Sequence, residues 1–86
     1  MPRISSFYGI TILMYFHDHD PPHFHAEYGE HRSRISIRTL EPLDAGLPSR
    51  AMRLIREWSK LHRLELMLNW KRAREGRALA RIDPLP

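Results

Sequence analysis

Pro48 and Gly76 bracket a stretch whose apolar residues recur at helical spacing, and the length of that stretch is the tightest constraint on this chain. Proline at a first helical position gives up an N–H that has no intrahelical partner anyway, and glycine suits a left-handed stop. A straight helix of about 28 residues would run roughly 42 Å, whereas a domain of this size is only about 25 to 30 Å across. The helix must therefore bend or break. The stripe Leu54, Ile55, Trp58, Leu61 changes phase towards Leu64 and Leu68, then Met67 and Trp70, which predicts the break at Leu61 to Arg63. Trp58 and Trp70 lie on the stripe and are expected in the core.

Ahead of Pro48 the period is two. Tyr8 to Phe16 is rich in β-branched and aromatic residues with apolar side chains on both faces, which predicts a central strand. His17-Asp18-His19-Asp20-Pro21-Pro22 is a turn, because adjacent prolines cannot both donate to a ladder. A second strand is expected from His23 to Tyr28, a reversal at Gly29-Glu30, and a third strand from Arg32 to Thr39. A two-residue reversal pairs Phe24 with Ile35 on the buried face, and His25 with Arg34 and Glu27 with Arg32 on the open face. A short last strand, Leu79 to Ile82, could return to a sheet edge. The expected fold class is α+β: a small antiparallel β-meander of three strands plus a short C-terminal strand, packed against two helices or one bent helix.

At 86 residues the chain is expected to form a single domain over residues 1–86. The hydrophobic fraction of 42% and charged fraction of 28% are ordinary for a folded domain and argue against disorder. With no cysteine, a disulfide framework, thiolate zinc site or cysteine nucleophile is excluded, and a reducing cytoplasm would suit the chain. No signal-peptide pattern and no run of roughly 20 apolar residues is present, so the expectation is a protein with no membrane partner. The net charge of +4 makes polyanions candidate partners, RNA ahead of DNA. Arg50, Arg53, Arg56, Lys60 and Arg63, then Lys71, Arg72, Arg74 and Arg77, form a basic helical surface, which fits either a solvated face or contact with phosphates.

The chemical signal is concentrated between His17 and His25. His23, His25 and Glu27 alternate along a predicted strand, so their side chains leave one face in a row with about 7 Å between neighbours. Two imidazoles and a carboxylate can ligate a divalent transition metal such as zinc, or iron, nickel or manganese, with His19 or Asp18 in the turn as a further ligand. The same face supports a metal-independent ribonuclease. His23, His25 or Glu27 would take and return protons, with Tyr15 as a further acid, while Arg34 and Arg38 stabilise the charged phosphorane. A plainer assignment has His23 and His25 facing solvent or bonded to Glu27, Asp18 and Asp20, with those aspartates and His19 capping the turn. His17 and His31 are expected to be exposed, and His62 to make a cap or a core hydrogen bond at the helix break beside Arg63 and Glu65. A module with no chemistry that docks a partner through the free edge of the meander is a third possibility.

Several segments together resemble a known family: Ser5-Ser6-Phe7-Tyr8-Gly9-Ile10, Met14-Tyr15-Phe16, the run Asp18-His19-Asp20-Pro21-Pro22-His23-Phe24-His25-Ala26-Glu27-Tyr28, Asn69-Trp70 and Ala73-Arg74-Glu75-Gly76. They resemble the bacterial domain-of-unknown-function family 4160 over nearly the whole chain. The resemblance implies a short cytoplasmic bacterial protein, often encoded beside another small family of unknown function (number 2442). It therefore implies a small protein partner from a neighbouring gene in a toxin-antitoxin type pair. The matching positions are Asp18, His19, Pro21, Pro22, His23, Phe24 and His25, while His17 and Asp20 stand where such proteins often carry asparagine.

Overall fold

The structure, a computed structural model, describes residues 2–86. Its elements are β1 (Arg3–Phe7), β2 (Ile10–Leu13), β3 (His23–Tyr28), β4 (His31–Ser36), α1 (Ser49–Leu61) and α2 (Arg63–Arg74). The strands form a 4-stranded antiparallel sheet in the order β1-β2-β3-β4, so every strand pairs with its neighbour in sequence. The α+β meander with two helices agrees with the expectation, and so does the strand count. The identity of the fourth strand does not.

The run Tyr8 to Phe16 is not one strand. Tyr8 and Gly9 form a two-residue reversal between Phe7 and Ile10, with φ values of 49° and 80°. Positive φ at both central positions is the turn whose twist matches two antiparallel strands, and glycine adopts it without a Cβ penalty. This reversal creates β1 from Arg3–Phe7, a segment whose Ser5-Ser6 pair gave no strand signal. Leu79 to Ile82 forms no strand; one bond from Ile82 N–H to Ile4 C=O (2.8 Å) lays the segment along β1. Asn69 fastens the same segment, donating to Ala80 C=O and accepting from Ala80 N–H. β2 is an inner strand, as expected.

β3 and β4 pair in the predicted register, with Phe24 opposite Ile35, His25 opposite Arg34 and Glu27 opposite Arg32. Period-two alternation sends Phe24, Ala26, Ile35 and Ile37 to the helix side, where they meet Ile10, Ile12, Ile55 and Trp58 in one apolar cluster. β4 ends at Ser36 rather than Thr39, because the chain turns back on itself. Ser36 N–H binds Glu41 C=O, Leu43 N–H binds Arg34 C=O, and Ile35 bridges Pro42, so the segment covers part of the outer edge of β4.

The helical stretch breaks at His62, whose φ of −123° and ψ of 24° lie outside the helix, within the predicted range Leu61 to Arg63. The longest extent of the molecule is 33 Å, which a straight helix over the whole stretch would have exceeded. Trp58 and Trp70 are buried as expected. Leu64 and Leu68 are not: α2 turns Leu66, Asn69, Trp70 and Ala73 inward and leaves those two leucines exposed. No helix is long and apolar enough to cross a membrane.

Candidate functional site

The end of α2 sets the position of the site. Arg77 N–H binds Arg72 C=O (2.8 Å) and Gly76 N–H binds Ala73 C=O (3.2 Å), with Gly76 at φ 70°. This pattern closes a helix on a left-handed glycine and satisfies the last carbonyls. Ala73 C=O also accepts the N–H of His17 (3.1 Å), which ties the β2–β3 connection to the helix end. Arg74 reaches Asp20 in the same connection (3.1 Å), and the Trp70 ring lies 5.2 Å from the His23 ring. The residue after His17 is Asp18, so the carboxylate is held where β3 begins.

Asp18 uses its two oxygens differently. Oδ1 accepts the N–H of His19 (2.9 Å), the turn cap expected from sequence. Oδ2 lies 2.9 Å from His23 Nε2 and 3.2 Å from His25 Nε2. Burial pushes the Asp18 carboxyl up, but the hydrogen bond from His25, the His19 N–H, and the charge and hydrogen bond of His23 together hold it below the ordinary carboxylate range. Among the described residues, Asp18, His23 and His25 form a group of three whose ligand atoms converge, all within 4.8 Å of one another.

The two imidazoles are held to different degrees. His23 is buried, its side chain 2% exposed, and its Nδ1–H donates to Pro21 C=O at 2.7 Å. That bond fixes the ring and turns Nε2 towards Asp18. His25 is 25% exposed, as is Asp18, and the Tyr15 ring meets the His25 ring edge-on at 4.4 Å. One side of the cluster is therefore walled by Trp70 and the other is open to solvent.

Of the residues expected from sequence, His23, His25 and Tyr15 come together. Glu27 and Arg34 share the face but are engaged elsewhere. The nearest cation to the Glu27 carboxylate is Arg32, at 3.7 Å, because the β3–β4 register sets those two residues opposite each other. Arg34 is clamped by Asp44, which takes its Nη2 at 2.7 Å, its Nε at 3.1 Å and its backbone N–H at 2.9 Å. The Arg34 side chain and backbone hold the Asp44 carboxyl down at about 2. His19 is exposed and contributes its backbone, not its ring. Arg38 is exposed beyond the end of β4. Asp18, expected either as a turn cap or as a further ligand, does both at once because a carboxylate has two oxygens.

His17 and His31 are exposed as expected, and His62 lies at the helix break with its Nδ1 2.5 Å from Glu65. No curated protein and no solved structure gives a significant match to this chain. A family model described as Domain of unknown function (DUF4160) matches residues 9–71. The match takes in β2, β3, β4, α1 and most of α2, together with Asp18, His23 and His25, and on that extent the chain belongs to the domain-of-unknown-function family 4160.

Proposed function

We propose that the protein binds a divalent transition metal, zinc first, through Asp18 Oδ2, His23 Nε2 and His25 Nε2. The observation that carries this reading is the direction of the His23 ring. A carbonyl only accepts, so the 2.7 Å contact with Pro21 C=O assigns the ring proton to Nδ1. A neutral His23 then presents an Nε2 lone pair to a carboxylate oxygen 2.9 Å away, an arrangement that needs a cation between them. A proton shared with Asp18 as a buried ion pair is one such cation, and burying that pair carries a desolvation cost. A metal is another and leaves His23 neutral, and a ligating histidine whose other N–H is held by a carbonyl is the arrangement that orients a metal ligand.

Two of the three ligand-atom separations, 2.9 and 3.2 Å, are near the roughly 3 Å that metal bonds of about 2.0 to 2.2 Å set between neighbouring ligand atoms, and all three atoms lie within 4.8 Å of one another. Three protein ligands on an open face leave coordination positions for water or a substrate oxygen, as in reactive rather than purely structural sites. The metal-free ribonuclease reading draws less support, because Arg34 is held by Asp44 rather than free to meet a phosphorane. The partner protein of a two-gene module rests on the family resemblance alone.

Elemental analysis of protein purified without a histidine tag tests the proposal. The expected result is near one transition metal per chain in the wild type, and a large loss in His25→Ala, whose half-buried position spares the core. Metal at equal levels in both, or in neither after zinc is supplied, would contradict it.

A further inference from the structure

The connection that carries Asp18 also carries Phe16, which is 43% exposed, and the exposed residues His17 and His19. It is docked on the most basic segment of the chain, where Lys71, Arg72, Arg74, Arg77 and Arg81 outnumber the segment's single acidic residue, Glu75. The docking is physical: His17 N–H binds Ala73 C=O, and Arg74 binds Asp20 while lying 5.8 Å over the Trp70 ring that backs His23. Lys71 and Arg81 are exposed and make no ion pair among the described residues. An exposed aromatic and the Asp18 carboxylate thus share one connection, and that connection is docked on a helix end that carries unpaired cations.

Those ingredients select a ligand. Cations that track a backbone, joined to an aromatic that offers a face to any base, are how proteins hold single strands without reading their sequence. A duplex keeps its bases stacked on one another and gains nothing from Phe16. Resting on the metal reading above, we infer that the ligand brought to the Asp18–His23–His25 site is a single-stranded nucleic acid. Its phosphates lie along the basic end of α2 and the following tail, and a base stacks on Phe16.

The test is fluorescence anisotropy with an end-labelled single-stranded RNA of mixed sequence, using the full chain both EDTA-treated and zinc-loaded. Phe16→Ala weakens binding on the order of tenfold, the effect of removing one stacked base. Lys71→Ala/Arg81→Ala weakens it further and lowers the salt slope by about 1.4, the share of two single-strand phosphates. Equal affinity for the matching duplex would overturn the inference, as would a silent Phe16→Ala with heparin competing as well as the strand, which marks a general polyanion surface. Zinc content is measured on the same samples. Zinc without strand binding overturns this inference and leaves the metal reading intact. Strand binding without zinc overturns the metal reading and, with it, the claim that the strand is the ligand of that site.

Discussion

Two aspartates lie within electrostatic reach of His25, and they have opposite fates. Asp44 is met by Arg34 through the side chain and the backbone N–H, and a guanidinium keeps its charge at any pH the fold survives. That pair is closed: it anchors the segment after β4 and has nothing left to exchange. Asp18 is met by two imidazoles at one oxygen. Each imidazole nitrogen can hold a proton or give it up for a metal, so this pair is open to chemistry. The same carboxylate becomes a fastening or a ligand according to whether its partner can change state.

The largest expected effect separates the two aspartates by stability. Zinc at about 100 times its dissociation constant stabilises a native state by about 2.7 kcal/mol, which for a domain of this size raises the melting temperature by roughly 10 °C or more. Calorimetric melting of the wild type and of Asp44→Asn follows that increase, and EDTA reverses it. In Asp18→Asn the same zinc level raises the melting temperature by no more than about 2 °C. A zinc-dependent rise that survives Asp18→Asn undiminished would erase the distinction between the two carboxylates.

A smaller effect concerns acid. Asp44 falls from the ordinary 3.8 to about 2 in the folded protein, so its contribution to stability is present above about pH 4 and is lost as the pH falls towards 2. Denaturant melts between pH 4 and pH 2 therefore lose less stability in Asp44→Asn than in the wild type, and the difference shrinks with added salt because the pair is partly exposed. Asp18 is lowered too, so its acid dependence has the same sign. His19→Ala sharpens the comparison further: it keeps zinc binding near the wild-type level in the same melts, since His19 gives Asp18 a backbone N–H that alanine also supplies.

The smallest effect belongs to the other histidine–carboxylate contact. His62, at the break, and Glu65, in the first turn of α2, are neighbours by spacing alone, i and i+3, and Glu65 is half-exposed. Glu65→Ala changes stability by a few tenths of a kcal/mol, as for a local helix pair, and leaves zinc binding intact.

What the sequence conveyed follows the same division between local and convergent features. The β3–β4 register was legible because Gly29-Glu30 fixes a short reversal and alternation does the rest. The helix break at His62 was legible because the apolar stripe changes phase there and a straight helix would outrun the molecule. β1 was hidden because Tyr8-Gly9 sits inside an apolar run, where a glycine between aliphatic residues looks like part of a strand. The fate of Leu79 to Ile82 depends on Asn69 and Ile4, partners far away in sequence. The site was legible as His23 and His25, with Asp18 as one of several residues that could join them, but not that Asp18 rather than His19, Asp20 or Glu27 would be the one to converge. That convergence depends on the Ala73 carbonyl catching His17 and on Pro21 turning the His23 ring, and no spacing rule contains either. Glu27 and Arg34 were correctly placed on the face, yet their nearer partners Arg32 and Asp44 claim them.

The most direct test is a calorimetric zinc titration of tag-free protein, run in parallel on the wild type, Asp18→Asn and Asp44→Asn. The account predicts one zinc per chain in the wild type and in Asp44→Asn, and an affinity at least about 100-fold weaker in Asp18→Asn, since loss of a direct ligand costs no less than the roughly 10- to 100-fold of losing an outer-shell partner. Equal zinc binding in all three, or none in the wild type, would contradict it.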